Sequence, residues 1–196
     1  LIPALRGSAL ATMPFVLVIL FILTPRVSFQ IFAAFVCKGF DFDDTGDIKH
    51  YYLDVDLRVR CEGIEYDRIR ESAAGLIVLW PIGVPLLFIS LLILARRAIE
   101  QRLPSRLSAA VSFLHAEYKP EYFFFELIEL GRKLFLMGFV LLVPDDHALL
   151  RLVAALVVTN GYVVMLLYAA PYRERWTALL AVATNVTLSF TLLAAL

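Results

Sequence analysis

Four charged side chains lie close together inside an otherwise apolar stretch of this chain: Glu126, Glu129, Arg132 and Lys133. On an α-helix, residues three and four apart are neighbours, so Glu129 would meet both cations and lie on the same side as Glu126. Unpaired charges inside a bilayer are costly, so these groups must face protein or water. Two interpretations stay open: the charges reach the headgroup level by snorkelling, or they line a polar crevice between helices, as in a voltage sensor or an ion path. The apolar run that follows, 134–143, is short for a complete crossing, which supports the second.

The segment 41–47 holds four carboxylates that could attract cations: Asp41, Asp43, Asp44 and Asp47. Oxygen-bearing side chains fall at the first, third and fifth positions of a calcium-binding loop, and Gly46 occupies the sixth. The twelfth position, which needs a bidentate glutamate, is Tyr52, so the match is incomplete. The segment is either a solvated acidic loop or a weak external cation site that enriches cations near the protein. We predict no firm metal site and no cofactor.

The chain contains two cysteines, Cys37 and Cys61. In an oxidising compartment they could form a disulfide that closes a loop of about 25 residues. The alternative is a pair of free thiols near the membrane. We expect the disulfide, and its presence would support an extracellular position for this loop.

A second apolar stretch contains two prolines four residues apart, Pro81 and Pro85. Proline inside a helix removes a backbone hydrogen bond and bends the helix. We therefore expect a bent or unwound middle in this stretch. The break is either a packing kink or a hinge that lines a cavity.

The composition excludes a soluble globular domain. Hydrophobic residues make up 61% of the 196 residues, against about 45–50% in soluble domains, and the mean hydropathy is +0.79. The formal net charge is zero, so no basic field indicates a nucleic-acid partner. The sequence contains no nucleophile elbow, phosphate-binding glycine-rich loop or paired-cysteine metal spacing. It therefore predicts a membrane protein that is not an enzyme and has the lipid bilayer as a partner.

A bilayer core about 30 Å thick needs roughly 20 mostly apolar residues in a helix, because lipid offers no hydrogen-bond partner to the backbone. The fold class we predict is an all-α integral membrane protein. About five transmembrane helices are expected: Ser8–Val36, Ser72–Ala95, Tyr122–Val143, Ala148–Ala170 and Trp176–Leu196. The chain begins with a leucine and ends inside the last of these stretches, so we expect it to be a fragment of a larger protein.

Loop charges give the expected orientation and divide the chain. The segment 37–71 carries ten acidic and six basic residues, whereas 96–121 carries five basic and three acidic ones. Because positively charged loops stay on the cytoplasmic side, 37–71 should be extracellular and 96–121 cytoplasmic. The predicted divisions are a first span in 1–36, the extracellular loop, a second span in 72–95, the cytoplasmic segment, and three further spans in 122–196.

Periodicity adds one element to each of these two loops. Apolar and polar side chains alternate over Tyr51–Arg60, which predicts a β-strand in the extracellular loop. Apolar residues recur at helical spacing over Leu103–Leu114 with arginines beside them, which predicts an amphipathic helix on the cytoplasmic leaflet. We therefore expect a small disulfide-closed, β-containing loop outside and an interfacial helix inside.

Four sequence motifs follow one another along the chain: FVCKGFDFDD…VRC, PIGVPLLF, EYKPEYFFFELIELGRKLFLMGF and APYRERW. In this order they resemble the C-terminal multispan region of large transient-receptor-potential-like surface proteins of algae and protists, which are akin to the fungal transient-receptor-potential-like family. The resemblance covers about Phe29–Leu180 and is most specific in PIGVPLLF and EYKPEYFFFELIELGRKL.

The resemblance implies the membrane domain of a cation channel or sensor, in the plasma or ciliary membrane. The charges of the third span would then couple to gating. The turn 171–175 is too short to re-enter the membrane as a selectivity filter, so further spans or subunits, and cations, are the implied partners. The alternative is a non-conducting membrane anchor for a large extracellular region.

Overall fold

The computed structural model describes residues 2–41, 49–101, 103, 105–143 and 147–196. Four helices in this described part are long and apolar enough to cross a bilayer: Thr12–Ala33, Ile64–Glu100, Ala148–Ala169 and Arg175–Ala194. Between 6% and 28% of each apolar window is buried inside the chain. Most of this apolar surface is therefore available to lipid, which confirms the membrane class and the predicted contact with the bilayer.

Eight α-helices occur within the described residues: α1 (Ile2–Ala33), α2 (Ile64–Ile77), α3 (Gly83–Glu100), α4 (Arg106–Ala110), α5 (Ser112–His115), α6 (Phe125–Met137), α7 (Ala148–Ala169) and α8 (Arg175–Ala194). α1 remains one helix through Pro14 and Pro25. α6 packs against α1, α3, α5 and α7, whereas α7 and α8 pack against each other as a hairpin. The charged stretch of the sequence thus lies on a helix that packs against four others.

Two apolar clusters hold the helices together. The larger one joins α1, α3, α5 and α6 and includes Phe88, Leu114 and Leu130, each at most 1% exposed. Phe21 of α1 meets Phe88 and Phe113 edge to face, with ring centroids 5.7 and 5.6 Å apart. The smaller cluster joins the beginning of α6 to α7 and α8. Together the clusters fix α6 between α1 and α3 on one side and α7 on the other.

The two prolines of the second apolar stretch do not unwind it. Residues Val78–Ile82 form a π-helical turn that contains Pro81, and α3 begins directly afterwards with Pro85 in its first turn. Helical backbone therefore continues from α2 into α3. A wider turn makes room for a proline ring that would clash with a carbonyl in a regular α-helix. The expected break is thus a π-helical turn in a continuous helix.

The stretch Tyr122–Val143 is not one continuous helix, which corrects the prediction of a single helical span. α6 contains 13 residues, and a 3₁₀ turn over Phe139–Leu142 follows after Gly138. A 13-residue helix is about 20 Å long, shorter than a bilayer core. The helix ends where Gly138 lies against the Phe32 ring of α1, a contact that leaves no room for a side chain.

The described part of Leu103–Leu114 forms two short helices, which corrects the prediction of one amphipathic helix. Ser105 caps α4 by accepting a hydrogen bond from Ser108 N at 2.9 Å. α4 ends at Ala110, and after the single residue Val111 the helix α5 begins at Ser112. Val111 and Leu114 are 0% exposed within the larger apolar cluster. Val111 and Leu114 of the apolar face therefore pack on other helices, whereas Leu103 is 57% exposed.

A two-stranded antiparallel sheet follows α1. Its strands are β1 (Cys37–Asp41) and β2 (Lys49–Leu53), and their register places Cys37 opposite Leu53. A disulfide joins Cys37 to Cys61, with the Cα atoms 6.4 Å apart, so the predicted bridge is confirmed. Because disulfides persist in oxidising compartments, the bridge indicates that this loop faces one.

The alternating residues after β2 do not continue the strand. Arg58 N donates to Asp56 Oδ1, and Val59 N donates to Asp56 O, both at 3.0 Å. This turn brings the chain back, so that Leu53 N donates to Val59 O at 2.9 Å. The strand predicted over Tyr51–Arg60 is therefore wrong beyond its first three residues, because a local aspartate turn competes with extended backbone.

Candidate functional site

Helix α6 brings three of the predicted charges together. Arg132 Nη2 donates to Glu129 Oε1 at 2.7 Å, and Lys133 Nζ lies 3.4 Å from the same oxygen. The Arg132 and Glu129 side chains are 10% and 14% exposed. Because the pair is largely removed from solvent, each member depends on the other for compensation of its charge.

Arg132 also contacts the neighbouring helix α7. Its Cζ lies 4.5 Å from the centroid of the Tyr162 ring, which is a cation–π contact. Tyr162 is 4% exposed, so its ring and its hydroxyl are both buried beside the ion pair. The guanidinium is thus held between a carboxylate of its own helix and an aromatic face of the next.

Glu126, the fourth charge, is bound by a residue outside α6. Tyr118 Oη donates to Glu126 Oε2 at 2.6 Å. Burial of Tyr118, together with the nearby negative charge of Glu126, raises the pKa of the phenol, so the tyrosine keeps its proton and acts as the donor. The cluster therefore has two parts: Glu129 with its two cations, and Glu126 with a phenol.

Aromatic rings surround both parts of the cluster. The Tyr118 ring packs against Phe125 and Tyr172, with centroids 5.5 and 5.0 Å away. Phe125 in turn packs against Tyr162 at 6.1 Å. Tyrosine rings combine an apolar body with a polar tip, so they can cover charged groups and still offer them a hydroxyl. The rings therefore separate much of the cluster from lipid.

The segment before α6 is hydrogen-bonded to the turn between α7 and α8. Lys119 N donates to Pro171 O at 2.9 Å, and Arg173 N donates to Glu117 O at 3.0 Å. Lys119 Nζ donates to Ala170 O at 2.7 Å, which satisfies a carbonyl at the C-terminal end of α7. A displacement of the beginning of α6 would therefore be transmitted to the α7–α8 turn.

Replacing Ala170 by glycine is expected to stabilise the protein by about 0.5–1 kcal/mol. Ala170 ends α7 with φ 42° and ψ 57°, a left-handed conformation that costs an L-residue roughly 1–2 kcal/mol. Glycine adopts this conformation freely, although it loses about 0.5–1 kcal/mol more entropy on folding. Thermal unfolding in detergent should show a higher Tm for Ala170→Gly and a lower Tm for Ala169→Gly, which changes the last helical residue. Equal Tm shifts for the two variants would show that the left-handed backbone of Ala170 does not strain the protein.

Three tyrosines of the site are not marked by any sequence pattern: Tyr118, Tyr162 and Tyr172. Tyrosine near a span boundary is typical of the aromatic belt, and Tyr162 lies within an apolar run. One signal could have identified Tyr162: a tyrosine inside a span buries a hydroxyl and so favours a polar neighbour. The residues that surround Tyr162 are brought there by tertiary packing, which local spacing does not give.

The predicted cation site is described only at its first residue. The backbone of Asp41 ends β1, whereas Asp43, Asp44 and Asp47 lie outside the described residues. Among the residues that the structure does describe, no group of three His, Cys, Asp or Glu side chains could hold a metal ion. The predicted helix break and the disulfide belong to other elements, and the α6 cluster is the site from which function can be argued.

No protein-family model, no curated protein and no solved structure matches this chain, so its function has to be inferred from the α6 cluster itself.

Proposed function

We propose that this chain is the membrane domain of a transient-receptor-potential-like cation channel or sensor, in the plasma or ciliary membrane, with 37–71 extracellular. Helix α6 is the coupling element, which links the segment before it to the α7–α8 hairpin. The observation that carries the proposal is the Glu129–Arg132 ion pair, which is largely buried and packs under Tyr162. Cations and further spans or subunits are the expected partners.

The position of α6 beside α7 supports a location of the ion pair inside the bilayer. Near the beginning of α7, Arg151 Nε donates to Val140 O at 2.9 Å. Near its end, Lys119 N donates to Pro171 O at 2.9 Å. α6 and the 3₁₀ turn after it therefore extend along α7, which is long and apolar enough to span. On this basis they would form a fifth crossing.

A buried ion pair contributes little net free energy to holding a helix in place, because both charges lose their hydration. Apolar side chains of similar volume that replace such a pair often stabilise the protein as well as the pair does, or better by about 1–4 kcal/mol. Ionisable side chains within the membrane usually mark pathways, sensors or ligand sites for this reason. The Glu129–Arg132 pair therefore supports a functional role for α6 better than a purely structural one.

The ion pairs of the cluster stay within α6. Glu129 pairs with Arg132 and Lys133 of the same helix, whereas Arg132 contacts α7 through the Tyr162 ring. A shift of α6 past α7 would change a cation–π contact without breaking a salt bridge. The four formal charges also sum to zero, so the membrane potential would act on them weakly. This arrangement suits a sensor of mechanical or chemical input better than a voltage sensor.

A non-conducting anchor is the second candidate, and the hydrogen-bonded junction between 117–119 and 170–173 favours it. Three hydrogen bonds with distances of 2.7 to 3.0 Å hold this junction. Such a junction could act as a static brace between the two halves of the chain. In that case, the protein would carry no current, and apolar residues could replace the ion pair without impairing the anchor.

Patch-clamp recording from membranes that contain the whole protein separates the two candidates. The variant Glu129→Leu/Arg132→Met removes the ion pair and keeps the side-chain volume. A sensor predicts a wild-type cation current under membrane tension, which falls about tenfold in the folded variant, a common size for coupling between sites. Its matched control is Arg96→Met/Glu100→Leu, which removes an exposed pair on α3 and should leave the current unchanged. Folded wild-type protein that carries no current would instead support the anchor.

A further inference from the structure

A groove lies between α1 and α2 at the ends that adjoin the β-hairpin. Its volume is about 450 Å³, within the range of about 300–1,000 Å³ that is usual for small-molecule sites. Apolar side chains of both helices form most of its wall, including Val27, Ile31 and Leu76. Three polar side chains complete it: Gln30, Arg68 and Ser72.

The deepest side chains of this groove, Val27 and Leu76, are apolar, and its polar side chains lie nearer the hairpin. α1 ends and α2 begins at the hairpin, so Arg68 lies nearest the hairpin, Ser72 one turn deeper and Leu76 two turns deeper. With a rise of 1.5 Å per residue, the first and last of these are about 12 Å apart along α2. At the end of α1, Ala34 and Ile31 lie nearest the hairpin, Gln30 follows and Val27 is deepest. A glycerophospholipid has the same sequence of chemistry: a phosphate, then ester groups, then an acyl chain.

Arg68 is available to bind an anion. Its side chain is exposed and makes no ion pair with a described residue, whereas Arg96 and Arg132 are both paired. A guanidinium presents a planar fork that can bind a phosphate through two parallel N–H···O bonds. The charge at the top of the groove therefore complements a lipid phosphate.

The depth of the groove also fits the boundary of the membrane. α2 is polar from Glu65 to Glu71 and apolar beyond Ser72, so Arg68 falls at the level of lipid headgroups and Leu76 within the hydrocarbon. A basic side chain at headgroup level beside a groove between two membrane helices can form a charge-assisted hydrogen bond with a lipid phosphate. An acyl chain can enter such a groove sideways from the bilayer.

We propose that this groove binds one glycerophospholipid from the leaflet on the hairpin side. Arg68 binds the phosphate, Gln30 and Ser72 donate hydrogen bonds to the ester oxygens, and one acyl chain lies against Val27 and Leu76. The bound lipid fills the space between α1 and α2 at the base of the disulfide-closed hairpin. This site is independent of conduction and of the α6 cluster.

Native mass spectrometry of the whole protein in detergent tests the site, with dioleoyl phosphatidylglycerol as the probe. We expect the first lipid molecule to bind the wild-type protein more tightly than any further lipid molecules. The variant Arg68→Gln should weaken the binding of this first lipid about tenfold, as for loss of a charged hydrogen bond. Arg70→Gln is the matched control, because Arg70 is on the same helix but does not line the groove. Leu76→Trp should also weaken binding, because the larger side chain fills the apolar part.

Two further probes separate the parts of the lipid. Dioleoylglycerol has the chains without the phosphate, and glycerophosphate has the phosphate without the chains. Each should therefore displace the bound phosphatidylglycerol at least about tenfold more weakly than unlabelled phosphatidylglycerol does. Equal losses for Arg68→Gln and Arg70→Gln would overturn the site. Equal competition by glycerophosphate would show an anion site that holds no lipid. A dimer that excludes the lipid would show that a second copy of the chain fills the groove. Either of these last two results would also overturn the proposal.

Discussion

Replacing Glu129 by leucine is expected to lower the free energy of unfolding by about 3–5 kcal/mol, because it leaves the buried guanidinium of Arg132 without its carboxylate. Arg132 would lose more stabilisation than Lys133, since its side chain is 10% exposed and its Nη2 donates to Glu129 Oε1 at 2.7 Å. Lys133 is 41% exposed and can move its ammonium group towards water or headgroups. The cost of the substitution therefore comes mainly from the orphaned guanidinium.

The opposite substitution, Arg132→Met, should cost less than Glu129→Leu. Lys133 Nζ lies 3.4 Å from Glu129 Oε1 and still compensates the carboxylate when Arg132 is gone. The variant also loses the cation–π contact with Tyr162, which contributes about 0.5–2 kcal/mol depending on desolvation. Equal costs for the two single substitutions would show that Lys133 does not take part in the cluster.

The double substitution Glu129→Leu/Arg132→Met should recover most of the lost stability, because no strong buried charge remains unpaired. A double-mutant cycle measured by unfolding in mixed detergent and SDS gives the coupling energy directly. The same cycle at the exposed Arg96–Glu100 pair should yield about 0.2–0.5 kcal/mol. Additive effects at Glu129 and Arg132 would contradict a buried ion pair.

The local half of this site could be predicted from the sequence, and the long-range half could not. Glu129, Arg132 and Lys133 are three and four residues apart, and helical geometry alone makes them neighbours. Tyr118 and Tyr162 approach α6 from outside the helix, through tertiary packing. Contacts of that kind depend on how helices are arranged, which residue spacing does not encode.

The elements show the same division between local pattern and competing contacts. Spans of about 20 apolar residues are recognisable because the bilayer imposes their length. The segment containing Val111 and Leu114 has helical spacing, but spacing cannot tell whether an apolar face meets lipid or another helix, and here it meets helices. Alternation around Asp56 predicted a strand, and an aspartate turn replaced it. Glycine often follows the end of a helix, but Gly131 lies inside α6, so the residue type alone does not show that the helix ends at Gly138.

Replacing Gly138 by alanine is expected to destabilise the protein by about 1–3 kcal/mol, the usual cost of overpacking a core. A Cβ atom there would collide with the Phe32 ring and lie 2.8 Å from Leu134 O. Phe32 is 2% exposed, so its ring has little space into which it could move. The end of α6 would have to move away from α1, which would also displace Arg132 from Tyr162.

Gly131→Ala is the matched control within the same helix. Nothing lies within 4 Å of a Cβ atom at Gly131, so alanine there should stabilise α6 by about 0.5–1 kcal/mol through its higher helix propensity. The two substitutions are chemically identical and should differ in sign. SDS unfolding curves of the two variants and of wild type would measure that difference.

Phe32→Leu provides the decisive partner for Gly138→Ala. The smaller side chain vacates the space that the new methyl group needs, so the double variant should be more stable than the sum of the single effects predicts, by at least about 0.5 kcal/mol. Additive effects would show that the Phe32 ring is not the reason why a glycine is required at position 138. Because this contact sets where α6 stops against α1, the same double variant should also return Arg132 to its place beneath Tyr162.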